Sequence, residues 1–252
     1  MQIDPNHEGP YPLLPVDSET CSHLNFSDTD DIAQWFSTDL TLMHNVIIRA
    51  LNAIWLYAPL VLPEDESAFT GYALACVSMI RWHHDAQENF VFPRLQRKAD
   101  MRPNVLQHLG FDARMKSFEE YLNKVHDRRE PFDSEKVIEL RRGFGGKLVQ
   151  HLHDEVRTVS PARLLTFNRD KLKRIADALD DNKTGFRDSS TLFPFIITAH
   201  NQEHAPDWPV VPTALKWFLS HVGLHLHRQY WIFSPYTIDG ELQNYPPHKH
   251  ED

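Results

Sequence analysis

The feature that most constrains the fold is a set of four long segments in which apolar residues recur every three or four positions. This spacing is typical of an α-helix with one buried face. Prolines interrupt the pattern between segments, with Pro59 and Pro63 after the first, Pro93 after the second and Pro161 after the fourth. Amphipathic helices joined by short connections predict an all-α fold, an up-down four-helix bundle.

The composition changes along the chain and predicts three parts. Residues 1–27 are rich in proline and show no helical period, which predicts an extended N-terminal arm. The bundle is expected over residues 28–160. Residues 161–252 are rich in proline, histidine and aromatic side chains, with helical patterns over 168–181 and after Pro212. We therefore expect an appended helical, aromatic-rich C-terminal region that packs on the bundle.

Charge and composition limit the classes of partner. The chain has 35 acidic and 26 basic side chains, a formal net charge of -9, which disfavours nucleic acid and anionic membranes as partners. No apolar run has the length of a membrane span, and the first residues lack the pattern of a secretory signal. Cys21 and Cys76 form no metal or redox motif. We expect a cytoplasmic protein, and its oligomeric state stays open.

Histidine is unusually frequent, with 16 residues, and one histidine lies on the apolar stripe of each of the four segments. In two segments a glutamate follows four residues after the histidine, and residues with this spacing project from one side of a helix. We therefore expect six nitrogen and oxygen ligands to point at the bundle axis. They are His44, His84, Glu88, His108, His151 and Glu155.

The chemistry of this set favours a metal. Buried carboxylates are costly unless they are paired or bind a cation, and clustered imidazoles need partners for their ring nitrogens. A single histidine on a helix is usually a hydrogen-bonded core residue, so the argument depends on all four helices contributing. Carboxylates and imidazoles inside a helix bundle suit a non-haem di-iron centre. The same ligands serve zinc or manganese, which remain alternatives to two iron ions.

The run HHDAQENFVFP from His83 to Pro93 resembles the HHxxxE…FP signature of hemerythrin-like (HHE cation-binding) domains. HLHDE from His151, followed by Pro161, resembles a second copy, and LMHN and QHLGF resemble the motifs of the first and third helices. The resemblance covers residues 28–160. It implies a hemerythrin-like four-helix bundle in which the same six residues bind two iron ions, with both glutamates as bridges.

Two details of the resemblance matter for function. Asp112 stands where oxygen-carrying hemerythrins have a second histidine in the third helix, and the last carboxylate follows its histidine by four residues. Both details are closer to iron-responsive hemerythrin domains than to simple oxygen carriers. Within the second helix, the alternative pair His83 and Gln87 is disfavoured because glutamine is a poor metal ligand.

Three functions remain open. We expect an O2-activating di-iron oxidase or oxygenase that acts on a small organic substrate. The alternatives are a carrier or sensor of O2 or iron without turnover, and a metal-free interaction protein. The C-terminal region, with Trp231-x-Phe233-x-Pro235, is similar to some fungal hemerythrin-like proteins. Its aromatic side chains either cover the bundle or wall a substrate pocket.

Two further histidine patterns lie in the C-terminal region. His200 to His204 spell HNQEH, which matches the H-x-x-E-H motif of zinc peptidases. Pro206 and Pro209 follow at once, so we expect no continuous helix there and no peptidase. His221 and His225 are four residues apart on the helix expected after Pro212, where they form either a half-buried rim or a lid over the bundle.

Overall fold

A computed structural model describes residues 9–25, 31–184, 189–210 and 226–245. Over this part of the chain the fold is all-α, and the bridge between Tyr236 and Leu242 is isolated. None of the described helices is long and apolar enough to cross a bilayer. The helix expected after Pro212, with His221 and His225, falls outside the described residues.

The helices are α1 (Ser18–His23), α2 (Ile32–Tyr57), α3 (Glu66–Ala86), α4 (Phe92–Leu95), α5 (Arg102–His126), α6 (Ser134–Thr158), α7 (Pro161–Leu164), α8 (Arg169–Thr184), α9 (Ser189–Ala199) and α10 (Arg228–Trp231). The long helices α2, α3, α5 and α6 are the four segments that the sequence predicts. They form the hemerythrin-like bundle and enclose a core of apolar side chains. Each contributes at least one buried histidine to the interior.

Local chemistry explains where these helices begin. The Asp31 side chain accepts the backbone N–H of Gln34 at the start of α2, and Asp133 accepts two backbone N–H groups at the start of α6. Both are N-cap contacts, which satisfy amide groups that the first helical turn leaves unpaired. The connection from α5 to α6 is fixed further because the Tyr121 hydroxyl accepts the Asp133 N–H at 2.8 Å.

A π-helical turn, Gln87–Val91, joins α3 to α4. Pro93 lies in α4, where it can donate no backbone hydrogen bond and crowds the preceding turn. A π-turn is wider than an α-turn and changes which side chains face inward. As a result Gln87 is buried while Glu88 is exposed at the edge of the bundle. The constant helical register that the apolar period of the second segment predicts up to Pro93 does not hold here.

Residues 9–16 form an N-terminal strap along α2. Asn45 pairs with both backbone groups of Leu14, donating to its carbonyl at 3.0 Å and accepting its N–H at 2.8 Å. Asn52 pairs in the same way with Tyr11. The two asparagines are seven residues apart on α2 and so lie on one face. Residues 9–16 are thus extended, whereas Ser18–His23 form the short helix α1 inside the range where we expected an extended arm.

The C-terminal part packs on α2 and α3. The Phe233 ring contacts Phe69 and Tyr72, and the Trp208 indole donates to Asp39 of α2 at 2.8 Å. Apolar side chains from this part and from the bundle form one buried cluster. The aromatic residues therefore extend the core of the bundle.

Candidate metal centre

Buried side chains from α2, α3, α5 and α6 form two groups in which the donor atoms lie within 4.8 Å of one another. The glutamate triad consists of His44, His83 and Glu155. The histidine triad consists of His84, His108 and His151. Because His83 and His84 are consecutive on α3, each triad receives one of them.

Glu155 links the two triads. Its Oε2 lies 3.2 Å from His44 Nε2 and 3.5 Å from His151 Nε2. Its Oε1 accepts a hydrogen bond from the Gln87 side-chain amide at 2.7 Å. One carboxylate oxygen thus faces a ring nitrogen of each triad, which is the position a bridging ligand requires.

Acceptors outside the centre fix the tautomer of three histidines. His44 Nδ1 donates to the Leu152 carbonyl at 3.0 Å, and His108 Nδ1 donates to Glu88 Oε1 at 2.7 Å. His151 Nδ1 donates to Gln107 Oε1 at 3.0 Å. Gln107 itself is oriented because its amide donates to Asp154 at 3.0 Å. In a neutral imidazole with the proton on Nδ1, Nε2 carries the lone pair. Such outer contacts are typical of metal-binding histidines.

The resulting lone pairs face one another. His108 Nε2 and His151 Nε2 are 2.9 Å apart, and His44 Nε2 is 3.1 Å from His83 Nε2. The Gln87 amide lies 2.9 Å from the same His83 nitrogen, which therefore acts as an acceptor. Opposed lone pairs beside a carboxylate repel one another unless a cation lies between them. The donor set therefore fits a bound metal cation.

Unpartnered atoms at the centre agree with this fit. Among the described residues, His84 Nε2, Gln87 Oε1 and Glu155 Oε2 are buried and have no hydrogen-bond partner. Each such atom costs roughly 1–3 kcal/mol relative to a satisfied one. Their location in or beside the triads indicates that the centre is completed by a ligand.

The surroundings of the centre favour the neutral forms of His83, His84 and His151 and the ionised form of Glu155. Burial, together with the neighbouring imidazoles, lowers the pKa of His83 and His84 well below the usual value. Burial also lowers the pKa of His151, to about 3. Burial alone would raise the pKa of Glu155, but the imidazoles of His44, His151 and His83 beside it outweigh burial and bring the pKa to about 2. Neutral imidazole and ionised carboxylate are the forms that bind metals.

Of the six ligands that the sequence predicts, the structure brings five into the triads. His44, His84, His108, His151 and Glu155 converge at the bundle centre. Glu88, expected as the second bridge, instead lies at the edge, 43% exposed, where it accepts the hydrogen bond from His108 Nδ1. The π-turn that begins at Gln87 accounts for this difference.

His83 is the residue that the sequence argument set aside. It lies 7% exposed in the glutamate triad, with Gln87 beside it. The signal was the spacing of His83 and Gln87, which matches that of His84 and Glu88. It was discounted because glutamine binds metals poorly, although a histidine can act as a ligand without a carboxylate one turn later.

The other candidates do not join the centre. Asp112 is exposed and pairs with Arg81 at 3.2 Å. Helix α9 ends at Ala199, before the H-x-x-E-H motif, as the following prolines predict. His200 is buried and its Nε2 bonds the Ala205 carbonyl at 2.9 Å. Within the described residues, neither His200 nor His204 belongs to a group that could hold a metal.

A small cavity of about 40 Å³ lies beside the glutamate triad. Its polar wall consists of His83, Gln87 and Glu155, together with Asp39. The rest of the wall is apolar, with Phe36, Leu40, Met43, Trp82, Ala86, Val91 and Leu179. The centre is therefore adjacent to a space that suits a small, uncharged molecule.

Comparison with known proteins agrees with this geometry. A relative from Cryptosporiopsis sp. (strain 8999), "Dimeric xanthone biosynthesis cluster protein R11", is 24% identical and covers 94% of this chain and 92% of its own length. No solved structure matches the chain significantly. The family model described as "Hemerythrin HHE cation binding domain" matches residues 36–162, which contain both triads. The chain belongs to the hemerythrin HHE cation-binding domain family.

Proposed function

We propose that this protein binds two iron ions, one at each triad, and that O2 binds at this centre. The observation that carries the proposal is the set of opposed Nε2 atoms, with His108 and His151 2.9 Å apart and Glu155 between the triads. A metal ion relieves this repulsion, and the outer hydrogen bonds already hold the rings in the binding tautomer. The six proposed ligands are His44, His83, His84, His108, His151 and Glu155.

The donor set limits the metal to a divalent transition-metal ion, and the proposed binding of O2 selects iron among these metals. Five imidazoles and one carboxylate suit several divalent metals, including zinc and manganese. When bound, a pair of iron ions supplies the redox chemistry that O2 requires. Glu88 contributes from outside, because its carboxylate holds the His108 ring through Nδ1.

The cavity supports a small apolar ligand. Its volume of about 40 Å³ holds a diatomic molecule, whereas pockets for drug-sized ligands measure roughly 300–1,000 Å³. Leu40, Met43 and Val91 give the space next to His83 an apolar wall. An uncharged molecule such as O2 pays little to enter such a space, while an ion or a polar molecule loses its hydration.

A second candidate is an oxidase or oxygenase acting on a small organic substrate. It is favoured by the relative described as a biosynthesis cluster protein, which aligns with 94% of this chain. The addition of His83 weighs against it, because it makes the centre richer in nitrogen than the six ligands expected from the sequence. Nitrogen-rich ligation stabilises the lower oxidation state and favours O2 binding without substrate turnover.

Visible spectroscopy tests the proposal. Protein loaded with Fe(II) under anaerobic conditions is exposed to O2, with His84→Ala and His153→Ala as variants, because His153 bonds the Pro12 carbonyl outside the triads. We expect an O2-dependent absorption band in the wild type and in His153→Ala, and its loss in His84→Ala. A band reversed by removing O2 supports binding without turnover, and decay coupled to oxidation of an added substrate supports the enzyme. No iron-dependent absorbance in any of the proteins contradicts the proposal.

A further inference from the structure

A second concave site lies on the surface between α4 and α8 and shares no lining residue with the triads. We call it the basic groove, and its volume is about 340 Å³. Four cationic side chains line it, Arg94, Arg97, Lys171 and Arg174. This concentration of positive charge stands out in a chain whose formal net charge is -9.

No carboxylate balances these charges within the groove, whose lining contains neither aspartate nor glutamate. Arg94 donates to the Phe90 carbonyl at 2.6 Å, and Arg174 donates to the Asp170 carbonyl at 3.2 Å. Both acceptors are neutral backbone groups, so they orient the guanidinium groups without neutralising them. Across the described residues, the four side chains form no ion pair.

The first turn of α8 adds a partial positive charge, which Asp170 in the same turn offsets in part. Asn168 caps this turn by accepting the Lys171 N–H at 3.1 Å, and the N-terminus of a helix carries a partial positive charge. Like charges gathered in a groove repel one another, and a bound anion removes that repulsion. The basic groove therefore has the electrostatics of an anion-binding site.

The groove also has an apolar wall. The half-buried Phe167 ring lines it together with Ile175 and Pro93. Lys98 fixes this wall, because its ammonium group lies 5.6 Å from the centre of the Phe167 ring and also bonds the Thr166 carbonyl. An inorganic ion would leave this surface unused, whereas a planar organic anion would cover it.

We propose that the basic groove binds a small aromatic anion, with its carboxylate or phosphate group between Arg97 and Arg174 and its ring against Phe167. Guanidinium groups pair with both anions through two parallel hydrogen bonds and stack on flat surfaces. The proposal does not depend on the metal centre, so each can fail without the other.

Calorimetric titration of the full-length protein tests the charge requirement. The probes are 2-naphthoate, 2-naphthyl phosphate and the neutral 2-naphthamide, which have the same ring system. We expect at least one anion to bind about tenfold tighter than the amide, and we expect the affinity of that anion to fall as salt is added. The stronger of the two identifies the group that the groove prefers. Equal affinity for the amide and both anions contradicts the proposal.

Matched variants test the location. Arg97→Gln with Arg174→Gln removes two charges from the groove, and Arg114→Gln with Arg142→Gln removes two exposed charges from α5 and α6. We expect the first pair to weaken anion binding about tenfold and the second to leave it unchanged. Phe167→Leu is expected to lower the affinity for all three probes, the amide included. Equal losses in both double variants would show that only net charge matters, and would overturn the proposal.

Discussion

His108 and His151 face each other across the bundle with their Nε2 atoms 2.9 Å apart, while the Nδ1 atom of each ring already donates to an acceptor outside the centre. Neither ring can then donate to the other while both are neutral. The contact is therefore unfavourable on its own and becomes favourable with a cation. A bound cation would offset the cost of burying these histidines together.

The position of Gln87 leads to a first prediction. Its amide donates to Glu155 at 2.7 Å, so Gln87→Glu brings two carboxylates together. Without metal we expect the variant to unfold more easily by about 1–3 kcal/mol, because like charges in a buried site repel. With metal we expect the rise in melting temperature to exceed that of the wild type, since the added carboxylate balances cationic charge.

Thermal unfolding of the metal-free and metal-loaded forms checks this prediction. Asn89→Asp is the control, because it adds the same charge on the exposed side of the π-turn. If both substitutions change the melting temperatures of the metal-free and metal-loaded forms equally, then Gln87 does not face the metal.

His200 leads to a prediction about pH. Burial, with the nearby Arg49 charge as a smaller cause, lowers its pKa from the ordinary 6.5 to about 4. Between these values the unfolded chain binds a proton at His200 that the folded protein does not. The contribution to stability is therefore complete above pH 6.5 and is lost as the pH falls towards 4, by about 1.4 kcal/mol per pH unit and about 3 kcal/mol in total.

Urea unfolding at several pH values between 6.5 and 4 checks the sign and the size. We expect the free energy of unfolding of His200→Gln to fall less steeply with decreasing pH than that of the wild type. The difference in slope should correspond to about one proton fewer taken up on unfolding. His153→Gln, in which a less buried histidine is replaced, is the control for the loss of a histidine side chain. A slope in His200→Gln equal to that of the wild type would contradict the assignment.

Two neighbouring glycines on α6 test the N-terminal strap. A methyl group at Gly145 would collide with the Tyr11 hydroxyl, and Arg141 already packs on that ring at 4.4 Å. A methyl group at Gly146 would meet nothing within 4 Å. Alanine favours a helix over glycine by up to about 1 kcal/mol, so Gly146→Ala should stabilise the protein. Gly145→Ala should destabilise it by about 1–3 kcal/mol.

Chemical denaturation of the two variants measures this difference, and limited proteolysis shows whether the strap is released. Release of the strap in Gly145→Ala, and not in Gly146→Ala, is the expected result. Two alanine variants of the same stability would mean that Tyr11 does not pack on α6.

The sequence predicted the four long helices well because their apolar period continues over many turns. It also placed five of the six candidate residues at the bundle centre, since a histidine in step with an apolar stripe must face the same interior. The differences concern His83 and Glu88 and have separate sources. His83 was set aside because glutamine, one turn later, is a poor ligand, and Glu88 was placed inside by its helical period. Periodicity assumes a constant helical register, and the π-turn at Gln87 changes it by a local geometry that the apolar pattern does not encode.

Other features needed the coordinates because they depend on distant contacts. Nothing in the period of α2 shows that Asn45 and Asn52 pair with the backbone of the strap. The basic groove combines residues from two stretches of the sequence that are about 70 positions apart. Such sites become visible only when the packing of α8 beside the π-turn and α4 is known.

The measurement that tests the central claim most directly is the iron content of His151→Ala and His153→Ala after anaerobic loading with Fe(II) and removal of unbound metal. Both residues are on α6, but only His151 belongs to a triad. We predict two iron ions per chain in the wild type and in His153→Ala, and no more than one in His151→Ala. Equal iron content in the two variants, or no iron retained by the wild type, would contradict the dinuclear centre.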